Sequence, residues 1–296
     1  VQTCALPISA HPPEAIYEHP TQAESLRLWA AMATGDIVGS IYEFNNIKTK
    51  DFELFRAESR ITDDTVCTVA VADTILNHRD PTETMVSWCR NYPGMGYGDR
   101  FTKWFDLPWQ EPYASFGNGS AMRVSPAAFL SPSLEYTREL ATKVTEITHN
   151  HPEGLKGALA TADAIWLAFN AATPAEIRNH VASEYGYDMD RTVGSIRPDY
   201  RFYESCMKTV PEAIICAIEA IDFEDAIRNA ISLGGDSDTL ASITGAVAEA
   251  LFQIPSDLCK EAWQRLPPDM TAVVQHMYRD ASKHTGGYRM PLHTVV

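Results

Sequence analysis

The spacing of apolar residues constrains this chain most: it recurs at three and four and almost never at two. From Ala23 to Tyr42, the positions Leu26, Trp29, Ala30, Ala33, Ile37 and Ile41 follow the helical period. Val66, Val69, Ala70, Asp73 and Leu76 mark a second helix, for which Thr62 fits the N-cap. A third runs from Thr137 to Thr148 and stops near His149 and Pro152. Gly154 to Ala172 is alanine-rich and reads as a helix buried on most sides. Further helices begin at Pro174, Pro211, Asp222, Asp238, Ser256 and Met270, with Pro174 and Pro211 at or near a first helical position. Alternating strand patterns are scarce and no β-α-β rhythm occurs. The expectation is therefore an all-α fold, one compact helical domain. Two irregular stretches, Asn91 to Pro126 and Tyr185 to Tyr203, are too long for plain connections and read as functional loops.

A chain of 296 residues buries roughly three quarters of its unfolded surface, so it needs no disulfide or structural metal to fold. Its cysteines (Cys4, Cys67, Cys89, Cys206, Cys216, Cys259) form no C-x-x-C pair and read as scattered buried thiols of a cytoplasmic protein. No stretch approaches the ~20 apolar residues of a membrane span. The net charge of -15 argues against nucleic acid or an anionic membrane as the main partner, and a monomer is expected. Val1 to Pro13 has no basic start followed by an apolar run, so it is not a secretory signal. Residues 1–20 are set aside as a disordered or non-native leader, and residues 21–296 are taken as the domain.

Two acidic clusters stand at helix starts: Thr62-Asp63-Asp64, and Asp236-Ser237-Asp238-Thr239 behind Gly234-Gly235. Each alone is explained as helix-start carboxylates, stabilised by free N–H groups and the helix dipole. Their shared form suggests more, because each couples two carboxylates to a threonine hydroxyl. Brought together, four carboxylates could not all ionise without added positive charge. Oxygen donors of this kind suit hard divalent cations, magnesium or manganese, and this many ligands suits two ions. The glycine pair lets the backbone approach such a site closely.

The chain resembles the ADP-ribosylglycohydrolase family, the all-helical enzymes related to the dinitrogenase-reductase activating glycohydrolase. Four landmarks match in order: G-D-I-V-G-S-I-Y-E (Gly35–Glu43), T-D-D-T (Thr62–Thr65), G-N-G-S-A-M-R (Gly117–Arg123) and G-G-D-S-D-T (Gly234–Thr239). H-N-H-P-E-G (His149–Gly154) lies between the last two. The resemblance implies a compact orthogonal helical bundle with long functional loops. It implies a pair of magnesium or manganese ions held by Thr62, Asp63, Asp64, Asp236, Asp238 and Thr239. Glu43 would be a further ligand or would move the attacking water's proton, with Asp63 and Asp64 sharing the catalytic centre. It also assigns the diphosphate and ribose of ADP-ribose to Gly117, Asn118, Gly119 and Ser120, and a ribose contact to His149.

Read by itself, Gly117–Ser120 is a turn with several free N–H groups, which suits either a phosphate nest or an ordinary loop. His149 and His151 lack the further N or S ligands that zinc needs, and His151 reads as a satisfied loop histidine. Tyr203 and Phe202 are candidates for stacking on adenine or for the core. Asp36 faces nearly the same way as Glu43 at seven-residue spacing and suits a supporting role behind the ligands; a helix-start charge explains it equally well. Arg123 is left unassigned. The expected activity is hydrolysis of an N- or O-glycosidic bond of ADP-ribose on a protein side chain (arginine or serine) or on a related small conjugate. The alternatives are a non-catalytic ADP-ribose reader and a two-metal phosphoesterase.

Overall fold

A computed structural model describes residues 31–252 and 254–284. It is all-α: among the described residues no strand forms, and the sole bridge pairs Gly117 with Ser205. The Ala23–Ala30 part of the first expected helix and the leader lie outside the described residues. What is seen is α1 (Ala31–Gly39), followed by α2 (Asp63–Leu76), α3 (Pro81–Asn91) and α4 (Asp99–Asp106). The short α5 (Gly119–Met122) and α6 (Ser125–Phe129) precede α7 (Leu134–Thr145), α8 (Pro152–Phe169) and α9 (Pro174–Tyr185). Then come α10 (Val193–Ile196), α11 (Cys206–Ile218), α12 (Phe223–Leu233), α13 (Ser237–Leu251), α14 (Ser256–Trp263) and α15 (Pro268–His284).

Local chemistry accounts for most boundaries. Thr62 caps α2 by accepting the Asp64 N–H, and Ser133 caps α7 by accepting that of Tyr136. His151 caps α8: its Nδ1 accepts the Glu153 N–H at 3.1 Å, with Pro152 in the first turn. Thr173 and Glu176 close a reciprocal capping box at the start of α9, which ends on Gly186 with φ 66°. Pro211 departs from expectation, since it lies inside α11 rather than at its start. The helix begins at Cys206, and its buried apolar face outweighs the one backbone bond a proline removes. Asn91–Pro126 is also more ordered than expected. Phe101, Trp104 and Phe105, at helical spacing after Gly98, are the buried face of α4.

The hub is α13, buried from Ser237 to Ala250 and packed by α1, α8, α11 and α12. Its small side chains let neighbouring backbones come close. A Cβ on Gly35 would sit 2.0 Å from the Ala241 carbonyl oxygen, and one on Gly39 would sit 2.3 Å from the Asp238 Cα. The Gly35/Gly39 face of α1 thus presses on the first turns of α13, which fixes the carboxylates there. Cys67, Cys89, Cys206 and Cys216 are buried as free thiols. No described helix is long and apolar enough to cross a membrane.

Candidate metal centre

The N-terminal ends of α2 and α13 open into one cavity of about 550 Å³. Its lining includes Glu43, Asp63, Asp64, Asp236, Asp238 and Thr239 on one side, and Gly117, Asn118, Gly119, Arg123 and His149 on another. Carboxylate oxygens of Glu43, Asp236 and Asp238 lie within 4.8 Å of one another. Across the two turns, Thr239 Oγ1 donates to Asp64 Oδ2 at 3.2 Å.

Each turn is held from behind. Asp36, fully buried on α1, accepts the Thr62 N–H (3.0 Å), the Thr62 hydroxyl (2.7 Å), the Thr65 N–H (3.1 Å) and the Thr65 hydroxyl. Its oxygens are occupied by these donors, so it supports the turn and stands outside the ligand set. Thr62 is likewise behind the lining, its hydroxyl shared between Asp36 and the Asp64 N–H. Glu43 is not on α1. The helix ends at Gly39, and a turn in which Tyr42 and Glu43 donate to the Gly39 carbonyl carries Glu43 to the cavity. Asn46 ties that turn to the second cluster: its side-chain nitrogen donates to the Glu43 (2.8 Å) and Gly235 (2.9 Å) carbonyls, and its oxygen accepts the Gly235 N–H at 2.7 Å. Gly235 has φ 78°, and a Cβ there would lie 2.6 Å from the Arg201 carbonyl oxygen, so the position admits only glycine comfortably.

The G-N-G-S turn is less free than its composition suggests. The Gly117 N–H is given to Ser115 Oγ (3.2 Å) and the Asn118 N–H to the Glu204 carbonyl (2.7 Å), which removes two donors from any phosphate nest. The Asn118 side chain donates instead to Asp236 Oδ2 at 2.7 Å and joins this turn to the acidic wall. Ser120 is fully buried and donates to the Gly154 carbonyl at 2.9 Å, away from the lining. Tyr203 is also absent from the lining; its ring packs edge-on against Tyr200, while Phe202 faces the cavity. Sequence reasoning missed Arg100, Tyr97 and Tyr113, which also line it. The helical spacing after Gly98 is a signal for Arg100 alone, since Tyr97 and Tyr113 lie outside α4.

The electrostatics are one-sided. Burial, with Asp236 beside it, pushes the Glu43 carboxyl up to about 7. Burial and the charges of Asp36 and Asp236 push Asp63 up to about 8. Asp64 and Asp238 rise well above the ordinary carboxylate range for the same reasons. Among the described residues, none of these groups has an ion pair, and Asp64 Oδ1 is buried without a hydrogen-bond partner. Oxygen donors alone, a missing counter-charge and an orphaned carboxylate oxygen fit a hard divalent cation.

A model of the ADP-ribosylglycohydrolase family matches residues 20–284. The chain belongs to that family. It is 24% identical to the mouse ADP-ribosylhydrolase ARH3 over 80% of this chain and 85% of the relative. It is 26% identical to the ADP-ribosylarginine hydrolase Tri1 of Pseudomonas putida (strain GB-1), over 79% of this chain and 73% of that one. In fold it is similar to a chain of an ADP-ribosylglycohydrolase-related protein complex, with TM-score 0.66 at 23% identity, covering 87% of this chain and 97% of that chain.

Proposed function

We propose that this protein is a divalent-metal-dependent hydrolase that releases ADP-ribose from a modified protein side chain, arginine or serine, or from a related ADP-ribosyl conjugate. The observation that carries the reading is the convergence of two acidic turns on one cavity, with no ion pair to their carboxylates among the described residues and with Asp64 Oδ1 unpartnered. Asp63, Asp64, Asp236, Asp238 and Thr239 are the residues that would hold two magnesium or manganese ions, and Thr62, expected among them, instead holds the first turn from behind. Such ions, when bound, supply positive charge to nearby oxygens and ease the loss of a proton from water. Glu43 is the group that takes this proton, being half-buried at the edge of the cluster with its carboxyl raised to about 7. The carboxylates offset the positive charge that develops on the ribose as the glycosidic bond breaks. The Gly117–Gly119 turn and His149 orient the rest of ADP-ribose.

Residues 91–112 and 184–203 are proposed to select the acceptor, since Gly96–Phe101 and Phe202 line the cavity. Residues 21–296 act as one cytoplasmic, monomeric unit in this reading. The name of the Pseudomonas relative makes ADP-ribosylarginine the first substrate to try. The deciding experiment offers defined arginine, serine and small-molecule conjugates with each metal and with a chelator, scored by mass spectrometry. Metal-dependent appearance of intact ADP-ribose is the expected result. Metal-independent binding without turnover would identify a reader, and AMP as product would identify a phosphoesterase; either outcome overturns the proposal.

A further inference from the structure

Opposite the carboxylates, three buried side chains form a chain of contacts, and the reaction scheme above uses His149 but neither Arg123 nor Thr148. Arg123 is 1% exposed, and its Nη2 donates to Thr148 Oγ1 at 2.6 Å. Thr148, wholly buried, has its Oγ1 2.7 Å from Nδ1 of His149. The far ring nitrogen, Nε2, turns toward the G-N-G turn: it lies 3.5 Å from where a Gly117 Cβ would be and 3.6 Å from where a Gly119 Cβ would be. Among the described residues Nε2 has no protein hydrogen-bond partner.

The direction of these bonds follows from valence. A guanidinium has donors and no acceptor, so the proton between Arg123 and Thr148 belongs to Arg123. Thr148 Oγ1 then has one hydrogen left to place. If His149 carried its proton on Nδ1, that hydrogen would be buried with no acceptor in reach. If Nδ1 is the bare nitrogen, the hydroxyl donates to it, and both Thr148 Oγ1 and His149 Nδ1 are satisfied.

We infer that Arg123 and Thr148 are positioning residues that lock His149 as the Nε2–H tautomer, presenting one fixed hydrogen-bond donor to the cavity. The partner of His149 in a bound ligand is then an accepting oxygen and never a donated hydroxyl. Burial and the neighbouring guanidinium groups of Arg123 and Arg100 also disfavour a second proton on the ring. Tyr113 also faces the ring, its centroid 6.4 Å away and its phenol pushed up by burial, and Glu204 lines the same cavity beside Gly117. The donor therefore persists through the range where an ordinary histidine changes charge.

Nitrogen-15 and carbon-13 NMR of histidine-labelled full-length protein tests this without any ligand, with a His149→Gln sample used only to assign the signal. The expected spectrum shows His149 as a single neutral Nε2–H species across about pH 5 to 8. Thr148→Ser should keep it, and Thr148→Val should release it to a mixed or Nδ1–H population. A wild-type ring found as Nδ1–H, or titrating like a free imidazole, overturns the inference; so does Thr148→Val with an unchanged tautomer. The wild-type spectrum decides even if the valine variant does not fold. With an ADP-ribosyl substrate, Thr148→Val should raise KM about tenfold, the equivalent of one hydrogen bond, with kcat little changed. That kinetic split rests on the proposed activity and the spectrum does not, so the two can fail separately.

Discussion

The two acidic turns look like copies of one device, but they are built differently. T-D-D-T is held by a buried carboxylate, Asp36, which collects two backbone N–H groups and two hydroxyls. D-S-D-T is held by amides, with Asn118 donating to Asp236 and Asn46 bracketing Gly235 from both sides. The first turn is anchored mainly by α1, with the Asp63 N–H given to the Met95 carbonyl at 2.9 Å. The second is stitched to elements more than a hundred residues away in the chain. Similar sequence therefore produces similar carboxylate placement through unlike supports. The supports should fail differently when cut.

The largest effect is expected at the carboxylates themselves, where the turns should be equivalent. Asp64→Asn and Asp238→Asn should each lower turnover by at least ~100-fold, beyond the usual cost of changing a supporting partner, with the helical circular dichroism unchanged. Near-normal hydrolysis by either variant would remove that residue from the centre. Next comes Asp36→Ala, which strands buried donors on the first turn. At ~1–3 kcal/mol for each unpaired group, it should cost about 3 kcal/mol or more in urea unfolding. A loss below ~1 kcal/mol would mean that α1 is not the anchor described here.

A third expectation concerns the metal-free protein. Glu43 and Asp63 are raised in the folded state, to about 7 and about 8, so the native form holds protons that the unfolded chain releases near pH 4. In chelator, stability should therefore fall as the pH rises from the unfolded carboxylate range toward 8. Magnesium or manganese should flatten that slope, and thermal melts at several pH values would show it. A chelated protein that gains stability over this interval contradicts the one-sided charge of the acidic wall. The smallest effect is expected for Asn46→Ala. Its side chain is exposed, and the loss should be about 1 kcal/mol and less than tenfold in turnover. If Asn46→Ala matched Asp36→Ala in stability, the contrast between the two supports would disappear.

Much of this was legible in the residues alone. The helical period located α8, α12 and α14 to within a few positions, and Thr62 and Asp222 act as caps as their residue types imply. The acidic turns were visible because helix starts have local signatures. What was hidden depends on contacts with no local period. Nothing near Asn46 announces that it will meet Gly235, and nothing in G-N-G-S reveals that Asn118 will spend its amide on Asp236. Glu43 was placed one helical turn too regularly, because the α1 pattern continues in sequence after Gly39 has ended the helix. Tyr203 and Phe202 differ by one position in an irregular stretch, where spacing cannot decide which ring faces the cavity.

The Asn118 amide has a consequence for how the cavity responds to its occupants. One side-chain bond of 2.7 Å joins the Gly117–Gly119 turn to a carboxylate of the acidic wall. Whatever fills one end and settles this bond changes the free energy of filling the other, and thermodynamic reciprocity makes the two factors equal. Titrating ADP-ribose at several manganese concentrations, and manganese at several ADP-ribose concentrations, should yield the same ratio. Asn118→Ala should bring that ratio toward one, leaving two sites that share a cavity and ignore each other.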